Sequence, residues 1–258
     1  MCGRYTLTSA PEAVRALFDY VEQPNFPARF NVAPTQPIPI VRLVNGKREF
    51  ALVRWGLLPS WVKDPKAFSL LINARGETAA EKPAFRAAMK RRRCLIPADG
   101  FYEWMATGAR KQPYFIHAKS GAPLAFAGLW ETWSGPNGEE LDSAAIVTTD
   151  ANSTLRDLHD RMPVIVPPEA FDIWLGRASD EGKDDLAAAA ALIAPAPDDL
   201  LEAYPVSLDV NRVANDNPKL IEEVSVSALP EPPAKRARAV KPAKPPKAAN
   251  DGGQGALF

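Results

Sequence analysis

Cysteine occurs twice in 258 residues, and one of the two, Cys2, directly follows the initiator methionine. A terminal methionine is generally removed when the next residue is small. The product would carry an α-amine of pKa ~8 and a thiol of pKa ~8.5 on one residue. Such a 1,2-aminothiol has two reactions open to it. The thiol can attack an amide or ester with the chain's own amine as base. Alternatively, the amine condenses with an aldehyde to a Schiff base, and the thiol then closes a five-membered thiazolidine. Only an N-terminal cysteine supplies both groups for the second reaction. The bland alternative is a buried, inert thiol, because free cysteine is among the most buried residue types.

Four further segments carry polar groups in unusual settings. "LLINARGETA" places Asn73, Arg75 and Glu77 directly after an apolar run. "ADGFYEW" sets Glu103 between two aromatics, where desolvation raises a carboxyl pKa toward the range useful for proton transfer. "LHDRMPVIV" holds His159, one of only two histidines, and "RFNVAPTQPIPIV" gives a polar Asn31 before a rigid turn. Taken singly, a turn-capping Asn73, a surface Glu103 and a satisfied core His159 are the readier explanations. A zinc site from Cys2, Cys94, His117 and His159 lacks any C-x-x-C or H-x-x-x-H spacing, so neither a metal nor another cofactor is expected.

The elements that must position these residues read as follows. "SAPEAVRALFDYV" predicts a first helix capped by Ser9, with Glu12 in the capping-box position and Val14, Leu17, Phe18 and Val21 on one face. "PIPIVRLVNGKREFALVRWGL" predicts a β-hairpin turning at Asn45-Gly46. "EKPAFRAAMKRRR" predicts a helix ending in a basic cluster. Strands follow at "CLIPADGFYEWM", "QPYFIHA", "PLAFAGLWETW" and "SAAIVTTDA", then short helices at "STLRDLHD", "PPEAFDIWLG" and "DDLAAAAALI". Runs of strands with scattered helices indicate an α+β fold rather than a doubly wound sheet.

Hydrophobic content of 46% and charged content of 24% suit a soluble globular chain, and no stretch reaches the ~18 apolar residues of a membrane span. With no secretory signal and no disulfide framework, a reduced cytoplasmic setting is expected. Net charge is zero but unevenly spread: residues 1–113 hold 18 basic against 9 acidic residues, and residues 114–229 hold 7 against 20. A basic half permits an anionic partner without proving one.

Together, "MCGRYT", "RFNVAPTQ", "RWGLLPSW", "LINARGETA", "RCLIPADGFYEW" and "LHDRMPVIV" resemble the SOS response-associated peptidase (SRAP) family in order and spacing, over about residues 2–225. The resemblance is to bacterial members that crosslink to abasic sites in single-stranded DNA. It implies a single SRAP-type α+β domain over residues 2–229, with a mostly antiparallel, barrel-like β core and peripheral helices. It also implies that Cys2, freed of Met1, is the catalytic residue, attacking the ring-opened abasic sugar and closing a thiazolidine that shields the lesion. By similarity, Asn73 holds the cysteine near the sugar, Glu103 is the general acid/base, and His159 assists proton transfer at the sugar hydroxyl. Arg4, Arg75 and Arg161 would clamp phosphates, and Trp61 would stack on or wedge beside a flanking base. Val62 stands where some relatives carry a second aromatic. Pro83 lies in a stretch where relatives carry a basic side chain, for which Arg86 or the "KRRR" cluster can compensate.

Two rivals are an N-terminal-nucleophile amidotransferase or hydrolase and a non-catalytic DNA-binding module. Replacing Cys2 separates the latter from both enzymes. Residues 230–258, with six prolines and six basic residues, predict a disordered linker. It closes on "QGALF", in which Gln254, Leu257 and Phe258 fit the Q-x-x-L-F pattern of peptides that dock on the bacterial sliding clamp. A monomeric, nucleoid-associated protein is the resulting expectation.

Overall fold

The computed structural model describes residues 2–107, 110–177 and 186–225; the tail with Gln254, Leu257 and Phe258 lies outside the described residues. The strands are β1 (Tyr5–Leu7), β2 (Arg29–Val32), β3 (Pro37–Val44), β4 (Lys47–Trp55), β5 (Asn73–Arg75) and β6 (Arg93–Ala98), followed by β7 (Gly100–Thr107), β8 (Arg110–Ala118), β9 (Leu124–Ser134), β10 (Glu140–Asp150), β11 (Arg161–Pro163) and β12 (Leu201–Pro205). The helices are α1 (Pro11–Phe18), α2 (Gly76–Ala79), α3 (Arg86–Arg91), α4 (Phe171–Leu175) and α5 (Leu186–Ala191). Among the described residues no helix is long and apolar enough to cross a membrane.

One sheet runs β12-β8-β7-β1-β2, antiparallel throughout. In the other, β10, β4, β3, β6 and β9 pair in turn and β9 returns to β10, closing a five-strand ring. The expected α+β class with a barrel-like, mostly antiparallel core is what the chain adopts. The exceptions are β4 and β5, which both run parallel to β10.

Local chemistry explains most of the elements. The β3–β4 hairpin turns at Asn45 and Gly46 with φ of 50° and 75°, the pair of positive angles that a tight two-residue turn requires. Strand β6 is buried at every position, as expected for a strand covered on both faces. The two sheets are joined by aromatic rings. Tyr5 of β1 packs edge-on against Trp55 of β4 at 5.4 Å and Phe126 of β9 at 6.2 Å, while Phe101 of β7 meets Phe126 at 5.8 Å. Each such pair contributes about 0.5–1.5 kcal/mol beyond the area it buries. This cluster is what anchors the N-terminal strand on the barrel.

Three local expectations need correction. Ser9 does not cap α1, whose N-cap is Ala10 without a side-chain bond. The Ser9 hydroxyl and amide instead donate to Asp99, as do those of Thr8. A carboxylate from the β6–β7 turn thus competes successfully for the groups a helix cap would use. Val21 is exposed, because α1 ends at Phe18 with Asp19 in the left-handed region (φ 55°). The segment "STLRDLHD" is a run of turns rather than a helix. Asn152 starts it by accepting from the Leu155 amide at 3.1 Å, while its Nδ2 donates to the Ala196 carbonyl at 3.1 Å.

Candidate active site

Cys2 precedes β1, which pairs with β7 through Tyr5 opposite Phe101 and Thr6 opposite Gly100. The Tyr102 amide also donates to the Arg4 carbonyl at 3.0 Å. Continued by the same register, residues 2–3 lie alongside Glu103. On the other side of β7, close approach to β8 depends on Gly100. A Cβ at that position would come within 2.6 Å of the Ile116 carbonyl oxygen and 2.5 Å of the Phe115 ring.

Cys2 is fully buried, and its thiol donates weakly to the Arg4 carbonyl at 3.7 Å. Burial pushes the thiol well above its ordinary range, and the Glu103 carboxylate pushes in the same direction. The positive N-terminus and the contact to Arg4 oppose both. The thiol is therefore held protonated at neutral pH.

Asn73 holds the other side of the residue. Its Nδ2 donates to the Cys2 carbonyl at 2.9 Å, and its position is set by parallel pairing of β5 with β10, Asn73 opposite Ile146. The Asn73 Oδ1 is buried with no hydrogen-bond partner among the described residues. That acceptor is open to a donor from outside the described residues. Glu103 is 4% exposed on β7. Arg75, two residues from Asn73 on the same strand face, is exposed.

His159 and Arg161 enter through a second set of contacts at the end of β10. The Arg161 guanidinium donates to both Glu77 oxygens at 2.8 Å, to Asp150 at 2.7 Å and to the Thr148 carbonyl at 2.7 Å. With only 8% exposure and two carboxylates upon it, Arg161 is engaged by the protein itself. These contacts brace β11 against β10 and α2. The Arg161 backbone amide donates to His159 Nδ1 at 2.9 Å, which in the neutral ring leaves the proton on Nε2. The same Nδ1 lies 2.8 Å from the exposed Asp160 carboxylate, a contact that requires a proton on Nδ1.

The Arg161 hydrogen bonds hold the Glu77 carboxyl below its ordinary value of 4.5. A depressed carboxyl stabilises the fold above its unfolded pKa and loses that contribution as pH falls through the folded one. Thermal unfolding of Glu77→Gln should accordingly show a shallower loss of stability below pH 4.5 than the parent chain, a modest difference because Glu77 is half-exposed. Parallel curves would place the acid sensitivity elsewhere.

Arg4 donates to Asn31 Oδ1 at 3.2 Å and to the Val210 carbonyl at 2.9 Å. Asn31 is fully buried and donates to the carbonyls of Val210, Arg212 and Asn215, tying the N-terminal strands to the chain's late segment. Trp61 is 58% exposed and packs edge-on against Phe68 at 5.6 Å, while Val62 is buried beneath it with Leu58 and Trp133. Arg86 is exposed on α3, and no hydrogen bond or ion pair among the described residues connects it to Cys2 or Asn73.

Cys94 is buried in β6, and His117 pairs with Glu202 at 3.3 Å on the edge strand β12. Among the described residues no group of three or more His, Cys, Asp or Glu side chains is placed to hold a metal ion. Sequence reasoning missed Asp99 and Asp150. The first had a usable signal, an Asp-Gly step directly before "FYEW"; the second is revealed only by strand pairing, Asp150 opposite Arg161.

Cys2, Asn73, Glu103, His159 and Arg161 all fall within the stretch over which the chain matches the model of the SOS response associated peptidase (SRAP) family, residues 1–213. The chain belongs to that family. The SRAP match extends through Val210 and Arg212, whose carbonyls fasten Arg4 and Asn31. Abasic site processing protein YoqW of Bacillus subtilis (strain 168) is 40% identical over 226 residues, covering 86% of this chain and 99% of that protein. Abasic site processing protein YedK of Escherichia coli (strain K12) is 34% identical over 230 residues, covering 87% and 100%. Abasic site processing protein HMCES of Xenopus tropicalis is 32% identical over 269 residues, covering 87% and 78%. Among solved structures, a Bacteroides thetaiotaomicron protein superposes with a TM-score of 0.77 at 28% identity, covering 87% of this chain and 100% of that one. A phage-related protein of Bordetella bronchiseptica gives a TM-score of 0.64 at 34% identity, covering 80% and 94%.

Proposed function

We propose that this SRAP protein processes abasic sites in single-stranded DNA by forming a covalent crosslink through Cys2 once Met1 is removed. The observation that carries the reading is the setting of Cys2. Its carbonyl is gripped by Asn73, its thiol is buried, and the Glu103 carboxylate lies close enough to raise the thiol pKa.

The order of steps follows from that electrostatics. A thiol held protonated is a poor first nucleophile, so the α-amine attacks the C1′ aldehyde of the ring-opened sugar and expels one water as the imine forms. The thiol sulfur then adds to C1′, giving up its proton to Glu103 while the imine nitrogen takes a proton and becomes the ring amine. Overall one C–N and one C–S bond form and one water leaves. Asn73 Oδ1 offers an acceptor to the sugar hydroxyl or the amine, and His159 presents its Nε2 proton for transfer. An amidotransferase would need the opposite bias, with a thiol activated toward its thiolate.

Arg4 and Arg75 supply cationic character, and Arg161 acts by holding His159 rather than by touching phosphate. Single-strand binding should weaken steeply with salt. Intact-mass measurement of the protein mixed with abasic single-stranded DNA tests the reading. The expected product lacks methionine and equals protein plus DNA minus one water. A product retaining methionine, or no covalent product at all, overturns it.

The sequence "QGALF" supports a second element of the proposal, docking on the replication sliding clamp through Gln254, Leu257 and Phe258. A tethered motif would raise the local concentration of the catalytic domain near replicating DNA. Phe258→Ala is expected to lower clamp affinity in a calorimetric titration; unchanged affinity rules the motif out.

A further inference from the structure

We propose that the Tyr5 hydroxyl is the hydrogen-bond donor that receives the Cys2 sulfur once its proton has gone to Glu103, speeding both closure and reopening of the thiazolidine; this proposal rests on the reading of Cys2 given above.

Tyr5 is fully buried, and its hydroxyl has no hydrogen-bond partner among the described residues. Trp55 and Phe126 hold its ring edge-on, which confines the direction of the hydroxyl. An unmade bond at a buried hydroxyl costs stability, and phenylalanine would fill the same space without that cost. Other tyrosines of the fold avoid it. The Tyr102 hydroxyl donates to the Phe30 carbonyl at 2.7 Å, and that of Tyr204 to the Ile221 carbonyl at 2.8 Å. Thr6, the next hydroxyl along β1, donates to the Gly100 carbonyl at 3.3 Å. A donor is thus held unspent three residues from Cys2.

Strand register places that donor beside the reacting residue. Tyr5 stands opposite Phe101, and alternation along β7 puts Glu103 on the same face as Phe101. Tyr5 and Glu103 are therefore diagonal neighbours across the two strands, about 7 Å apart. Cys2 packs in the same buried cluster as Tyr5. Burial pushes the phenol well above its ordinary range, and a Cys2 thiolate pushes it the same way, so Tyr5 keeps its proton and serves as a donor. Arg29, its other charged neighbour, is committed to Asp216 and Gln36.

In the resting site the Cys2 thiol donates to the Arg4 carbonyl. A thiolate has no proton to give and is repelled by that carbonyl, so the sulfur needs a donor as the ring closes. The Tyr5 O–H meets that need, and a hydrogen bond to an anion is roughly twice as strong as one between neutral groups. The step balances. The S–H proton passes to Glu103, the C–S bond forms at C1′, the imine nitrogen takes a proton, and Tyr5 retains its own. The same donor serves the sulfur when the C–S bond breaks, so both directions gain equally.

The test times two stages of one reaction in the full chain. The parent is compared with Tyr5→Phe and with Tyr20→Phe, which removes another buried hydroxyl without a partner among the described residues. Single-stranded DNA bearing an abasic aldehyde is added, and samples are quenched with and without borohydride. Adduct that needs borohydride reports the imine; adduct that survives without it reports the closed ring. Tyr5→Phe should form the imine at the parent rate but close the ring about 10–100-fold more slowly. Release of a preformed adduct into excess hydroxylamine should slow by the same factor. Iodoacetamide alkylation of Cys2 should also slow, with its pH profile moved upward. Tyr20→Phe should match the parent in every rate. Both variants should melt at or slightly above the parent midpoint, since neither loses a bond made among the described residues. Closure at the parent rate in Tyr5→Phe, or equal slowing in Tyr20→Phe, overturns the proposal. So does equal slowing of imine formation and closure, the sign of a loosened site. A parent adduct with unaffected closure in Tyr5→Phe leaves the Cys2 reading standing; no covalent adduct from the parent removes both.

Discussion

Cys2→Ser and Cys2→Ala should both lose the denaturation-resistant adduct while still engaging abasic DNA. Each variant, once freed of Met1, keeps an α-amine and can form the imine. Neither can close a thiazolidine, so the covalent species stays reversible and is recovered only after borohydride reduction. The imine also acidifies the sugar's C2′ hydrogens, which opens a route to β-elimination and strand cleavage. The two variants should thus nick the strand more than the parent does, an inversion of shielding into cleavage. Denaturing gels with and without borohydride separate these outcomes. An adduct of parent-like stability in Cys2→Ala would remove the thiol from the mechanism. Equal noncovalent binding by all three proteins, with no adduct in any, would favour the plain binding module.

Glu103→Gln should divide two properties that normally travel together. General acid–base groups contribute about 10²–10⁴-fold, and crosslinking is expected to slow within that range. Removing the charge also removes one of the two influences that raise the Cys2 thiol. Alkylation of Cys2 by iodoacetamide should therefore speed up as crosslinking slows. A structural residue whose loss merely loosened the site would move both rates the same way, or neither. Rapid-quench crosslinking beside timed alkylation and mass analysis reads the pair directly.

Sequence reasoning reached this site unevenly, for physical reasons. The Asn45-Gly46 turn was legible because a two-residue hairpin imposes its own backbone angles. Asn73, Glu103 and His159 were legible as polar residues bordering apolar runs. The meeting of Asn73 and Glu103 at Cys2 was not, since it depends on β5 joining β10 and on β7 pairing with β1. Arg161 shows the limit most clearly. Its pairing with Glu77 and Asp150, 84 and 11 residues away, arises only once the fold brings these segments together. Ser9 fails for a similar reason: the local capping pattern is sound, but Asp99, 90 residues away, takes the same donors.

The bonds from Arg4 and Asn31 to Val210, Arg212 and Asn215 also set a schedule. During synthesis the first residues emerge some 180 residues ahead of the carbonyls that fasten them, as the separation of Asn31 from Arg212 shows. Chain growth runs at roughly 5–20 residues per second, so that interval lasts on the order of ten seconds. Throughout it the N-terminus is without its final partners and open to an aminopeptidase. Afterwards Cys2 is fully covered. The proposed removal of Met1 thus belongs to translation, when the site does not yet exist, and folding then encloses an amine that has already been released.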